Sequence, residues 1–390
     1  MTQITAPWLT DATSQKVCRA LTCDGNDVLF VGGCVRNALL GASVSDLDLA
    51  TNARPEITMK LAQSAGLAAI PTGIAHGTIT VVADNRPFEV TTFRKDVSTD
   101  GRRAVVAFSD DICEDAQRRD FTMNALYARP DGNVIDPLNG LTDLFARRVR
   151  FIGQAEQRIR EDYLRSLRYF RFHAWYGDTE AGFDPEALAS IAQELEGIAT
   201  LSRERVGAEL CKLLAAPDPA PAIATMQHCG LLHQILPGSD SAALTRLIHI
   251  ETQAHQPARP MVRLAALGGL VDTLRLGKST MRDLETTRKA ALSVQGAPEL
   301  GHRLGASMAL DALALRSALM EAPWDSAWAT QVSTGASAVF PVTGVDLMPA
   351  FSGAALGAQL KWLKSQWIAS GFRLTKSALL ELSKSGPAGG

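Results

Sequence analysis

The chain of 390 residues lacks several things that would narrow its class quickly. No apolar run approaches the length of a membrane-spanning helix, so no transmembrane segment is expected. The first residues, MTQITAPWLTDATSQK, have no basic-then-apolar order, which argues against a signal peptide. The six cysteines (Cys18, Cys23, Cys34, Cys113, Cys211 and Cys229) are scattered, with no C-x-x-C pair. That excludes the usual zinc spacings and a disulfide framework, and predicts reduced thiols in a cytoplasmic protein. Net charge is only −2, so no overall basic field exists to capture nucleic acid; any such binding must come from a local patch. No His-Asp doublet and no internal repeat occurs. What is present is ordinary for a globular protein, 46% apolar and 21% charged, on a chain long enough for two or three domains.

The first part mixes strand and helix signals. Val28-Leu-Phe-Val31 is a β-rich run ending at Gly32-Gly33, and residues 33–40 read as a helix stopped by Gly41. Residues 78–82 and 88–93 read as strands joined by the turn Asp84-Asn85-Arg86-Pro87, a predicted antiparallel hairpin. Asp131-Gly132-Asn133 is a further turn before Val134-Ile135. Beyond about residue 144 the chain becomes helical and arginine-rich, then Ala- and Leu-rich, with breaks near Pro217–Pro221, Pro237-Gly238 and Pro341. The glycine-rich tail after Ser385 is expected to fray. The sequence therefore predicts an α+β fold, with a small mixed or antiparallel sheet in a head over 1–145 and all-helical segments over 146–215 and 216–390.

Residues 32–51, GGCVRNALLGASVSDLDLAT, carry the first concentration of chemistry. If Asp46-x-Asp48 is extended, its two carboxylates share one face. They repel unless a cation lies between them, and oxygen ligands at that spacing suit Mg²⁺ carrying a triphosphate. Gly32 and Gly33 let backbone approach phosphate, the helix N-terminus behind them favours an anion, and Arg36 is one turn in. Glu89 could complete the acidic set, although alternation with Phe88 and Val90 equally fits a solvent-facing strand residue. Residues 118–127, RRDFTMNALY, place Arg118 and Arg119 before a predicted helix capped by Asp120 or Thr122. This reads either as a triphosphate site or as a capped surface helix.

Residues 158–172, RIREDYLRSLRYFRF, contain no helix breaker. As one helix they put Asp162, Arg165 and Arg168 on one side and Ile159, Leu164, Leu167 and Phe170 on the other, with Arg171 towards the apolar side. Asp162 and Arg165 offer the acceptor and donor that could imitate a base-pairing partner. Spacing alone favours a surface ion pair. Arginines 147, 148, 150, 158, 160, 165, 168 and 171 form the basic patch that net charge conceals, and suit phosphate contact.

In order along the chain, Gly32-Gly33-x-Val35-Arg36, Asp46-x-Asp48, Glu89-Val-Thr-Thr-Phe-Arg94, Arg118-Arg119-Asp120-Phe-Thr-x-Asn124-Ala125 and Glu161-Asp162-x-x-Arg165-x-x-Arg168 resemble the motifs of the class II tRNA nucleotidyltransferase and bacterial poly(A) polymerase family, in the polymerase β superfamily. Weaker matches follow at Ser202-Arg-Glu204-Arg205-x-x-x-Glu209 and Pro341-Val-Thr343-Gly344-x-Asp346-Leu347. The resemblance implies a nucleotidyltransferase head over 1–145, a nucleotide-recognition neck over 146–215 and a tRNA-binding body and tail over 216–390. It implies Mg²⁺ on Asp46 and Asp48, and nucleotide contacts from Gly33, Arg36, Arg119, Asp162, Arg165, Arg168 and Arg171. Asp162 and Arg165 would then read CTP and ATP by their base edges.

Two departures from the family pattern stand out: Asn37 where an Asp is usual, and Ser352-Gly-Ala-Ala355 where Pro-Gly-Pro is usual. Ala75-His76-Gly77-Thr78 resembles the CCA-adding branch, and the loop from Arg94-Lys-Asp96 through Gly101-Arg102-Arg103 resembles the flexible loop of CCA- or A-adding enzymes, which argues against a CC-only enzyme. The expected activity is CCA addition to tRNA; poly(A) addition to RNA is the alternative. Intact Asp46 and Asp48 argue against a non-catalytic RNA-binding protein. The arginine-rich neck and long helical body argue against a small-molecule acceptor.

Overall fold

The computed structural model describes residues 2–100, 103–348 and 350–386. The chain forms two compact units, Met1–Pro237 and Gly238–Gly390.

The first unit is built on a seven-stranded mixed sheet of order β3-β4-β5-β2-β1-β8-β9. Its strands are β1 (Val28–Val31), β2 (Asp48–Thr51), β3 (Ala68–Gly73), β4 (Thr78–Ala83), β5 (Arg86–Thr92), β8 (Tyr127–Ala128) and β9 (Val134–Ile135). A separate hairpin joins β6 (Arg94–Asp100) to β7 (Arg103–Phe108). Residues 101 and 102, part of the family loop expected there, lie outside the described residues, as do 387–390 of the tail.

The expected hairpin is β4–β5, with Asp84 and Asn85 both at positive φ in its two-residue turn. Asn and Asp tolerate that conformation, and the resulting twist matches that of paired strands. Along β4, Ile79, Val81 and Ala83 are buried while Thr78, Thr80 and Val82 are half-buried, which is period-two packing on one covered face. On β1, Leu29 and Val31 join a core with Ala50, Phe93, Ala125 and Tyr127. Phe30 meets Trp8 edge-on at 4.8 Å. Every residue of β1 is buried, as suits a strand near the middle of the sheet.

Helices then take over. Residues 155–176 contain no Gly or Pro, yet they form two helices, Ala155–Glu161 and Leu164–Tyr176. The single helix expected there is interrupted at Asp162, whose backbone is extended (φ −154°, ψ 104°). Its side chain accepts from the Leu164 N–H at 3.2 Å and its carbonyl from the Arg165 N–H at 2.9 Å. An aspartate that captures the backbone ahead of it restarts a helix at a new angle.

The helix expected to start at Asp120 or Thr122 is instead a single 3₁₀ turn, Thr122–Asn124, leading into β8. Its apolar side chains decide this: Phe121, Met123, Leu126 and Tyr127 are all buried, which one exposed helix could not achieve. Phe121 packs on Phe151 and Phe172, each at 5.0 Å, and Phe151 stacks on Tyr169 at 5.5 Å. This aromatic layer ties the sheet to the 164–176 helix.

The second unit is helical throughout its described residues. One core forms between the helices Ala297–Met320 and Ala327–Ser337, and another forms around Leu363, Trp367 and Leu379. Among the described residues no helix is long and apolar enough to cross a membrane.

Candidate active site

The sheet delivers the acidic residues. Strand β2 starts at Asp48; Asp46 lies in the preceding loop, so the D-x-D is half loop and half strand. Burial still alternates across it, with Asp46 exposed, Leu47 buried and Asp48 half-buried. Strands β2 and β5 are parallel, with Asp48 directly opposite Glu89. Glu89 is exposed, as its alternation with Phe88 and Val90 implies, and it is also the immediate neighbour of Asp48. The two readings of Glu89 therefore describe one position. Asp46, Asp48, Thr80 and Glu89 line a cleft of about 470 Å³. Burial, then the negative charges of Glu89 and Asp46, push the Asp48 carboxyl above the usual carboxylate range, with Arg119 pulling the other way.

A second cleft, also about 470 Å³, has Asp48 in its wall too. Gly33, Arg36, Arg119, Asp162, Arg165 and Arg168 line it, so six of the seven predicted nucleotide-contacting residues meet there. Among the described residues Arg171 is not part of that lining. It donates to Glu209 of the helix Arg203–Leu214 at 2.6 Å, and its guanidinium sits 4.6 Å from the Phe172 ring.

Each cation in this cleft has a partner in the protein, some within a turn along the chain and some from distant segments. Arg36, only 6% exposed, donates to the side-chain oxygens of Asn37 (3.1 and 2.9 Å) and Asn124, and to the Tyr176 hydroxyl (2.9 Å). The Tyr176 ring lies 4.0 Å from its guanidinium. All of these partners are neutral. Asn37, the departure noted in the sequence, accepts from Arg36 and donates through Nδ2 to the Ser43 carbonyl at 2.8 Å. An aspartate could accept there but could not donate.

Arg119 is held by Asp115 (3.0 Å) and by the Tyr127 hydroxyl (3.1 Å), which itself donates to Asp115 at 2.7 Å. Arg118 donates to the same carboxylate at 2.9 Å. Burial alone would raise the Asp115 carboxyl, but Arg119, Arg118 and Tyr127 outweigh it and hold the group at about 2. Gly32, at φ +71°, lies beside this network, and a Cβ there would stand 3.4 Å from the Arg119 guanidinium. Arg168 donates through Nε to Asp120 at 2.8 Å. Asp120 is also held at about 2, burial being outweighed by Arg168 and Asn124.

Asp162 and Arg165 do not pair with each other. Asp162 takes an ion pair from Arg205 at 2.7 Å, and Arg165 one from Glu161 at 2.6 Å. The two groups are thus separately fixed in one cleft wall. Asp115, Asn124, Tyr176, Arg205 and Glu161 are the supporting residues to which sequence reasoning assigned no role. Arg205, Glu161 and Asn124 lay within the quoted motifs.

Residues 28–150 match the Poly A polymerase head domain family, and 182–242 match the family described as the probable RNA and SrmB-binding site of polymerase A. The mouse mitochondrial CCA tRNA nucleotidyltransferase 1 is 34% identical over 379 residues, covering 93% of this chain and 87% of its own length. The chain belongs to the class II CCA-adding tRNA nucleotidyltransferase family. Within the family, the CCA-adding enzyme of Leuconostoc citreum is 35% identical over 287 residues, covering 72% of this chain and 69% of its own. The crystal structure of the Bacillus stearothermophilus CCA-adding enzyme in complex with CTP superposes with a TM-score of 0.78 at 27% identity, covering 98% of both chains. The family assignment and the α+β architecture expected from the motifs are both met.

Proposed function

We propose that this chain transfers CMP and AMP from CTP and ATP to the 3′ end of tRNA without a nucleic-acid template, completing CCA and releasing pyrophosphate. The single observation that carries this reading is the shared wall: Asp48 belongs to the acidic cleft and to the arginine-lined cleft that holds Asp162 and Arg165. A nucleotidyltransferase needs those two environments to meet at the reacting phosphate. The mouse and Bacillus relatives, whose names carry CCA addition and CTP, support the choice over poly(A) addition.

Among the described residues no group of three or more carboxylate, histidine or cysteine side chains is placed to hold a metal ion by itself. An open set of carboxylate oxygens fits Mg²⁺, which is usually held by one or two carboxylates together with substrate phosphates. Asp46 and Glu89 flank Asp48 and, after burial, add to the rise of its carboxyl; a cation there would relieve their mutual repulsion. Asp46 and Asp48 would hold the metal, with Glu89 opposite Asp48 on the neighbouring strand. When bound, it neutralises triphosphate charge and lowers the pKa of the attacking hydroxyl.

In our reading Arg119 and Arg36 steady the phosphates, with Gly33 giving close backbone approach. Asp162 accepts from, and Arg165 donates to, the base edge. Arg168 orders Asp120, and Arg171 sets the 164–176 helix against Glu209. The tRNA 3′-oxygen forms a bond to the α-phosphorus as the bond to the pyrophosphate oxygen breaks, in line. By this assignment 1–145 is the catalytic head, 146–215 the recognition neck, and 216–390 the tRNA-binding body and tail. The six unpaired cysteines support a reducing compartment, and we assign the chain to the cytoplasm.

The test is incubation of tRNA lacking its 3′ end with labelled CTP and ATP. Addition that stops at CCA is expected; a long A tail would favour the poly(A) reading. Asp48→Ala should abolish incorporation while tRNA binding persists, and normal turnover by that variant would remove Asp48 from the site.

A further inference from the structure

Arg158 lies on the helix Ala155–Glu161 and has no role in the reading above. It is 8% exposed, and its guanidinium is divided between two places. One terminal nitrogen donates to the backbone carbonyls of Arg118 and Arg119, at 2.6 Å each. The other donates to Glu161 Oε2. That same oxygen receives Arg165 at 2.6 Å, and the Arg158 carbonyl accepts from the same Arg165 nitrogen at 2.7 Å. The Nε of Arg158 is buried with no partner among the described residues. A buried donor left unmade costs about 1–3 kcal/mol, so what keeps Arg158 in place is the work of its two terminal nitrogens.

We propose that Arg158 is a positioning residue that couples triphosphate placement to base reading. It fixes the backbone from which Arg118 and Arg119 project and, through Glu161, the guanidinium of Arg165. The inference rests on the assignment of Arg119 to phosphate and of Arg165 to the base. Arginine suits this task because its two terminal nitrogens are held in one rigid plane; movement at either end is transmitted to the other. A lysine ammonium can satisfy the carbonyls or the carboxylate, but it cannot brace one against the other.

The experiment compares the full chain with Arg158→Met, Arg158→Lys and Glu161→Gln. Four quantities are read: KM for CTP and for tRNA, UTP misincorporation, binding of inorganic tripolyphosphate, and the thermal midpoint. In Arg158→Met, KM for CTP and UTP errors should each rise about tenfold or more, because small misplacements in a site are costly. KM for tRNA should hold within about twofold, since no contact to the acceptor is altered. Arg158→Lys should bind tripolyphosphate better than Arg158→Met while discriminating against UTP no better. Glu161→Gln tests the coupling itself: this change in the base-reading half should weaken tripolyphosphate binding. Should Arg158→Met not fold, Glu161→Gln decides alone, and unaltered tripolyphosphate binding overturns the proposal. So does an Arg158→Met enzyme with a lowered midpoint but wild-type KM and fidelity, which is a residue that only holds the fold. If the wild-type chain itself adds neither C nor A, it is the parent reading that has failed.

Discussion

Asp115 sits in the first turn of the helix Ile112–Gln117 and touches Arg118 and Arg119, which line the cleft, and the Tyr127 hydroxyl. A buried carboxylate with two charge-assisted partners fixes the direction of both guanidinium planes. Replacing it with asparagine removes the charge and one acceptor oxygen while keeping the shape. Arg119 then remains a buried cation with less to hold it, so Asp115→Asn is expected to lower kcat/KM for CTP by about a hundredfold, the scale on which misplaced site groups act. Steady-state kinetics at saturating tRNA measure this. A loss confined to stability would show that Asp115 orders the fold but not the cleft. This residue was not legible in the sequence. Its spacing to Arg118 and Arg119 is that of any surface ion pair on a helix, and the Tyr127 hydroxyl that completes the network comes from β8.

At the scale of elements, the break between the helices Ala155–Glu161 and Leu164–Tyr176 places Asp162 and Arg165, the groups proposed to read the base. Tyr163 occupies that break, and it is packed against Gly197. A Cβ on Gly197 would stand 1.9 Å from the Tyr163 ring. Gly197→Ala must therefore expel the ring, at a cost of about 1–3 kcal/mol for an overfilled interior. It should also displace the neighbouring Asp162 from Arg205. KM for CTP and ATP should rise together, with KM for tRNA less affected; unchanged nucleotide KM values would mean that the break does not need Tyr163.

The hairpin β4–β5 and strand β1 were readable because alternation and turn residues are local signals. The β2–β5 pairing that puts Glu89 beside Asp48 is long-range, and for that reason alternation alone left the role of Glu89 open. The helix break was hidden because Asp162 makes it with a side-chain bond, and neither Gly nor Pro marks the place. Asp46, Asp48 and the arginines were assembled by the family resemblance more than by spacing; spacing alone favoured an Asp162–Arg165 ion pair that the structure does not contain.

At the scale of the whole molecule, two buried acids of the first unit and two of the second are held in opposite ways. In the first, Asp115 and Asp120 are each held at about 2. An acid depressed in the folded state stabilises above its unfolded pKa of about 3.9, and that contribution is lost as pH falls towards 2. Each contributes about 2–3 kcal/mol above that range. In the second unit, burial raises Glu251 despite its ion pair with Arg263 at 2.8 Å, and raises Asp311 despite Arg259. An acid raised in the folded state gains stability as pH falls, so these groups resist mild acid. Hydrogen exchange followed from pH 5 down to about 3 should show protection lost over 112–176 before 242–320, because only the first set of acids must be protonated to unfold. The reverse order would contradict the assignment.

Asp48 and Glu89 become neighbours through the parallel pairing of β2 with β5, and between those strands the chain must complete the helix Pro55–Ser64 and the strands β3 and β4. Antiparallel neighbours can close as soon as a turn forms, whereas a parallel pair waits for its whole crossover. During synthesis, the acidic cleft therefore cannot exist until β5 has emerged, and its two opposed carboxylates meet only after the hairpin is in place. A chain that ends before β5 has the Gly-Gly loop and both aspartates, but Asp48 has no Glu89 opposite it.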